Sequence, residues 1–281
     1  MSFGETALLG ALAGFTIFLG LPVGRLRTLS PGARVALAMF SVGVLVFLLV
    51  DVLAHGFGIA EDAVAEYKVG DASFLHAAWL TLVLLLGFSA GSAGLGILER
   101  RLRTRAAPPI SGGAVDTPTV VDEQTMLDAA QAQALRTGLI IAGAIGLHNF
   151  AEGLAIGVSA QAGEIGLATV LIVGFALHNA TEGFGIVGPL GNVRPSWRWL
   201  ALAGLIGGGP TFVGSMIGYS VSSKPLELAF YAIAGGAILY VIGEIWNGMR
   251  RYGHRELGLA LLSAGFAAGI LTDLLVVYGG G

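Results

Sequence analysis

The chain has 281 residues, 55% of them hydrophobic and 12% charged, with 45 glycines, no cysteine and a formal net charge of −3. A soluble domain would carry about twice that charge fraction, so the composition points to an all-α, polytopic membrane protein whose glycines let helices approach closely, in keeping with a mean hydropathy of +0.80. The lack of cysteine excludes disulfides, thiolate ligands, thiol catalysis and iron–sulfur chemistry, and without a long basic stripe there is no reason to expect a nucleic-acid partner.

Eight apolar spans can be drawn, each near the roughly 20 residues that a bilayer needs. Span one runs from about Glu5 to Val23; no basic segment precedes it, so it is read as a retained helix and not a leader. Span two, from about Val35 to Phe57, carries Asp51 and His55 four residues apart in its outer third and is expected to end in an acidic loop with Glu61, Asp62, Glu66 and Asp71. Span three, from about Phe74 to Leu98, gives way to a basic cluster of Arg100, Arg101, Arg103 and Arg105. Residues 106–128 hold three prolines and no apolar periodicity, and are expected to be a flexible cytoplasmic loop.

Spans four (about Leu135 to Ala160) and five (about Ile165 to Leu190) follow, joined by a short turn. Span six, from about Trp199 to Val221, is interrupted by Gly-Gly-Gly-Pro at Gly207 to Pro210, which permits a kink. Span seven, from about Leu226 to Trp246, has Glu244 near its end, and span eight, from about Leu257 to Tyr278, includes Asp273. Residues 1–281 read as a single transmembrane domain. Every arginine falls beside the loops after spans one, three, five and seven, while Lys68 and Lys224 fall on the other side. Because basic residues favour the cytoplasmic side, both termini are expected outside, meaning periplasm or cell exterior for a prokaryotic plasma (inner) membrane. The tryptophans Trp79, Trp197, Trp199 and Trp246 are expected to be interfacial anchors.

The spans at the centre of the chain carry matching hexapeptides, H-N-F-A-E-G from His148 to Gly153 and H-N-A-T-E-G from His178 to Gly183. Polar groups at a membrane midplane are costly and therefore functional suspects. On a helix, positions i and i+4 share a face, so His148 points with Glu152 and His178 with Glu182, with Asn149 and Asn179 alongside. Two such helices face to face make a cage for a divalent cation, and imidazole with carboxylate suits zinc, iron or manganese better than calcium or magnesium. Simple interhelical glue is the competing account, disfavoured because two carboxylates would remain to be neutralised. Asp51 and His55 are candidate access ligands and Glu244 a candidate exit ligand. Asp273 and His76 are expected to be local hydrogen-bond partners.

Spans four, five and seven, the last with A-G-G-A-I-L-Y-V-I-G-E ending at Glu244, resemble the ZIP (Zrt/Irt-like) divalent metal transporters, bacterial members in particular. The resemblance implies eight helices in a 3+2+3 arrangement and a mid-membrane site through which zinc, iron, manganese or cadmium passes toward the cytoplasm. By position it implicates His148, Asn149, Glu152, His178, Asn179 and Glu182, and more weakly Glu244. Ala151 and Thr181 stand where that family often has proline, and Gly209 where it often has a glutamate that would support a second ion. The transported ion is cargo and no separate cofactor is expected; the other partners are the lipid bilayer and, where the chain self-associates, a second copy in a homodimer. An intramembrane metal-dependent hydrolase is the alternative, disfavoured because it needs no duplicated ligand set.

Overall fold

In the computed structural model, which describes residues 1–26, 30–106, 123–161, 176, 178–220, 223–250 and 252–278, the described regular elements are all helical. Helix α1 (Phe3–Phe15) starts with reciprocal capping: Ser2 Oγ accepts from the Glu5 N–H, and the Glu5 carboxylate accepts from the Ser2 N–H. Through Thr16 it continues into α2 (Ile17–Gly20) and a 3-10 turn, Leu21–Arg25, making one span.

Helix α3 (Pro31–Val69) begins under a Ser30 cap with proline in its first turn and stops at Gly70, which adopts φ 89°. Its 39 residues reach about 58 Å, nearly twice the roughly 30 Å hydrocarbon core. Glu61, Asp62 and Glu66 therefore lie exposed on a helix, not in an acidic loop. The apolar run ends near Phe57, but the Ala- and Glu-rich sequence that follows has high helix propensity, and Ala60 and Ala63 are still buried.

Helix α4 (Phe74–Ser89) passes through a π turn, Ala90–Gly94, into α5 (Leu95–Ala106). Helix α6 (Glu123–Gln161) begins inside the segment expected to be a loop; the stretch D-A-A-Q-A-Q-A-L lacks an apolar face but not helix-forming residues. Residues 107–122 lie outside the described residues, as does much of span five, of which 178–187 form α7. Helices α8 (Trp197–Ser220), α9 (Lys224–Arg250) and α10 (Arg255–Tyr278) complete the chain. Among the described residues, seven of the expected spans coincide with helices long and apolar enough to cross a bilayer.

The tightest seam joins α6 to α8. A Cβ added at Gly146, Gly153 or Gly157 would collide with the carbonyl oxygens of Ile206, Thr211 and Ser215, and one at Gly214 or Gly218 with those of Phe150 and Leu154. The two backbones thus touch along three turns, as small residues allow in membranes. Helix α1 packs on α8 beside α6, with Gly10 and Gly14 also abutting Thr211, while α3, α4, α9 and α10 pack among themselves, and α6 against α9 joins the two groups. Helix α7 fits between them: Gly183 abuts Ile17 and Gly20, and Gly185 faces Ser41 and Ile245. Outward faces are apolar, with Leu8, Leu12 and Leu19 near the N-terminus and Leu271, Leu274 and Leu275 on α10 all exposed. Such a surface suits lipid and not water, whereas the interior at this seam is polar.

Candidate metal site

The six motif residues are all buried, none more than 8% exposed, but they separate into two layers. In the first, the one-turn spacing on α6 places His148 beneath Glu152, and α7 brings His178 to the same point. Glu152 Oε1 lies 2.8 Å from His148 Nε2 and 2.5 Å from His178 Nε2. The His178 contact has hydrogen-bond geometry. The His148 contact does not, and both nitrogens of that ring lack a hydrogen-bond partner. One ligand atom from each of these three residues lies within 4.8 Å of the other two.

The second layer faces the interior of the bundle. Asn149 Nδ2 donates to Glu182 Oε2 at 3.0 Å and to the Gly207 carbonyl at 3.0 Å. Asn179 Nδ2 donates to the Ala13 carbonyl of α1 at 3.1 Å. The copies are thus cross-linked: the second histidine meets the first glutamate, and the first asparagine meets the second glutamate.

What these groups lack is positive charge and donors. Among the described residues, Glu152 Oε2, Glu182 Oε1, Asn149 Oδ1 and Asn179 Oδ1 are buried oxygens without a hydrogen-bond donor, each a group that costs free energy unless paired. All four offer lone pairs, so a cation satisfies them where another helix donor would have to be built for each. Zinc bound at 2.0 to 2.2 Å in tetrahedral geometry keeps its ligands about 3.3 Å apart. Glu152 Oε1 would have to part from each imidazole nitrogen by less than about 1 Å to reach that spacing.

From this cluster a cavity of about 480 Å³ extends between α3, α9 and α10 and is lined by Asp51, His55, Tyr231, Thr272 and Asp273. Asp51 and His55 have side chains 40% and 59% exposed, with His55 Nδ1 3.7 Å from Asp51 Oδ1. That ring nitrogen is also 2.9 Å from the Asp51 carbonyl. They lie near the middle of the long α3, not in the outer third of a short span. Asp273 shares this cavity with Asp51 instead of being a local hydrogen-bond partner; its signal in the sequence was a carboxylate inside an apolar span. Tyr231, whose ring centroid lies 5.6 Å from that of His55, carried no such signal.

Glu244 does not line this cavity. It is half-buried on α9, next to Ile245, which packs at Gly185, about one turn beyond Glu182 and about 20 Å along the helix from Tyr231. Gly209 is also apart from the cluster: a Cβ there meets nothing within 4 Å, and its neighbours on that helix face, Leu205 and Val213, are exposed. A glutamate at this position would start outward, contrary to the expectation that it would support a second ion. Trp199 likewise departs from its expected anchoring role, since it packs inward against Gly138.

A family model described as ZIP Zinc transporter matches residues 115–272, more than half of the chain. Two similar proteins are both described as Zinc transporter ZupT. That of Clostridium perfringens is 25% identical over 249 residues, covering 85% of this chain and 84% of the relative. That of Corynebacterium glutamicum is 26% identical over 277 residues, covering 94% and 98%. The matched region contains both hexapeptides, and with the lipid-facing helices and the buried histidine–carboxylate cluster it leads to one conclusion: the chain belongs to the ZIP zinc transporter family, and is an integral membrane protein of divalent metal transport, not an enzyme.

Proposed function

We propose that this protein moves zinc foremost, and iron, manganese or cadmium as ions of similar ligand demand, toward the cytoplasm through the seam between α6 and α7. The observation that carries the reading is the convergence of His148, Glu152 and His178 at the inner end of a cavity, with buried lone pairs in surplus. These three are the proposed ligands of the bound ion. Three protein ligands leave a fourth position for water or the next donor, which suits an ion that must also leave.

In this reading Asp51 and His55 receive the hydrated ion at the cavity, where a carboxylate and an imidazole replace part of its water shell. Glu182 adds the second negative charge, so that the two carboxylates balance one divalent cation in a poorly hydrated interior. Asn149 and Asn179 hold the layer behind the ligands and offer amide oxygens. Glu244, beyond Glu182, is the proposed exit ligand. The arginine distribution supports a cytoplasmic location for the loop after span three and for the end of α9 where Glu244 lies.

Purified protein reconstituted in liposomes around a zinc-sensitive dye tests the proposal. Wild type should fill the lumen with zinc, and His148→Ala should not, although it inserts and purifies normally. Binding without flux in the wild type would make this a metal-sequestering or sensing protein, and normal flux in His148→Ala would overturn the site.

A further inference from the structure

Away from the metal path, a second cavity of about 240 Å³ is lined by Arg25, Arg34, Arg194 and Asn192 together with loop backbone, and among the described residues no carboxylate lines it. Two of the arginines are held in place by carbonyl groups: Arg25 donates to Pro195 O and Arg34 to Gly191 O. The Arg25 guanidinium also lies 4.7 Å from the centroid of the Trp197 ring. A guanidinium has five N–H donors, and one backbone carbonyl takes only one or two. The remaining donors of Arg25 and Arg34, with their charge, stand at a cavity lined by no carboxylate among the described residues.

The location fixes what kind of anion can come there. Arg25 is the last residue of the span Phe3–Arg25, Arg34 lies in the first turn of Pro31–Val69, and Trp197 is the first residue of Trp197–Ser220. Three apolar spans therefore end at this cavity, which puts it at the level of the lipid headgroups. The exposed Trp197 beside it is the residue type that marks that level. Arginine forks match phosphate oxygens bidentately.

We propose that this cavity binds the phosphate of an anionic phospholipid headgroup, the lipid joining the first loop of the chain to the loop before α8. The phosphate takes guanidinium donors from Arg25 and Arg34, with Arg194 at the rim. A zwitterionic lipid, whose own ammonium offsets its phosphate, binds more weakly to a cavity that presents the Arg25 and Arg34 guanidinium groups.

The experiment uses the full chain purified in uncharged detergent and three probes: phosphatidylglycerol, phosphatidylcholine and inorganic phosphate. Native mass spectrometry should show one tightly retained phosphatidylglycerol per chain, and the same lipid should raise the melting temperature while phosphatidylcholine does not. Arg25→Gln/Arg34→Gln should lower phosphatidylglycerol affinity by about tenfold or more, with zinc binding at the His148 cluster unchanged as proof of folding. Should the double variant not fold, Arg194→Glu, at an exposed position, should weaken retention in the same direction. Inorganic phosphate that alone gives the full stabilisation and displaces the lipid would identify the ligand as free phosphate at the same arginines. Equal phosphatidylglycerol retention in wild type and in the arginine variants, or none in the wild type, would overturn the proposal.

Discussion

The two hexapeptides have the same residue types at the same helical spacing, yet their glutamates meet different surroundings. Glu152 stands between two imidazoles at the end of a cavity, whereas Glu182 is held by the Asn149 amide away from it. The difference comes from the neighbours of each helix. One side of α6 is fixed against the α8 backbone by its glycines, which leaves the His148–Glu152 face toward the cavity lined by α3, α9 and α10. Helix α7 lies against α1 and α2, and Asn179 is drawn to the Ala13 carbonyl. In the proposed reading a repeated motif on non-equivalent neighbours gives one ligand face and one supporting face, and variants that treat the two copies alike or differently test this.

The largest effect is expected from Glu152→Ala, which removes the group shared by both histidines. Zinc binding by calorimetry should fall by about a hundredfold or more, and liposome flux should vanish. Binding retained within a few-fold would mean that Glu152 is not a ligand. Acidification comes next, because protons compete with zinc for the imidazole lone pairs. The check is zinc affinity by calorimetry from about pH 7.5 down to about 5.5. Affinity therefore falls as pH falls, and an affinity flat across that range would remove both histidines from the site.

A smaller effect is expected for Glu182→Gln, which keeps an acceptor for Asn149 while deleting the charge: about tenfold in zinc affinity, the size typical of groups that support ligands. A loss as large as that of Glu152→Ala would erase the proposed asymmetry between the copies. Asp51→Asn should raise the zinc concentration for half-maximal flux only a few-fold and leave central affinity unchanged, since its side chain is 40% exposed and solvent screens it. Gly209→Glu should change nothing in metal stoichiometry, because that position faces outward with Leu205 and Val213. A second tightly held zinc in this variant, measured by metal analysis, would show that the side chain reaches the interior after all.

The family and the polar centre were readable from the chain because both rest on local chemistry. Apolar runs of bilayer length report membrane spans, and a histidine and a glutamate one turn apart in such a run report a costly group that needs a partner. The helix ends were less readable. Hydropathy marks where lipid stops and not where the hydrogen-bonded backbone stops, so α3 runs past Phe57 to Val69 and α6 starts at Glu123.

What the sequence determined by itself was the set of groups able to bind a cation and their pairing within each helix, since i, i+4 geometry follows from the helical repeat alone. Which groups meet across helices was decided by tertiary packing. Glu152 faces His178, Asn149 takes Glu182, Asp273 reaches the cavity of Asp51, and Gly209 turns outward, all because backbone contact between glycines fixes the rotation of each helix about its axis. That rotation depends on side-chain volumes summed over neighbouring helices, a quantity that no single stretch of the chain contains.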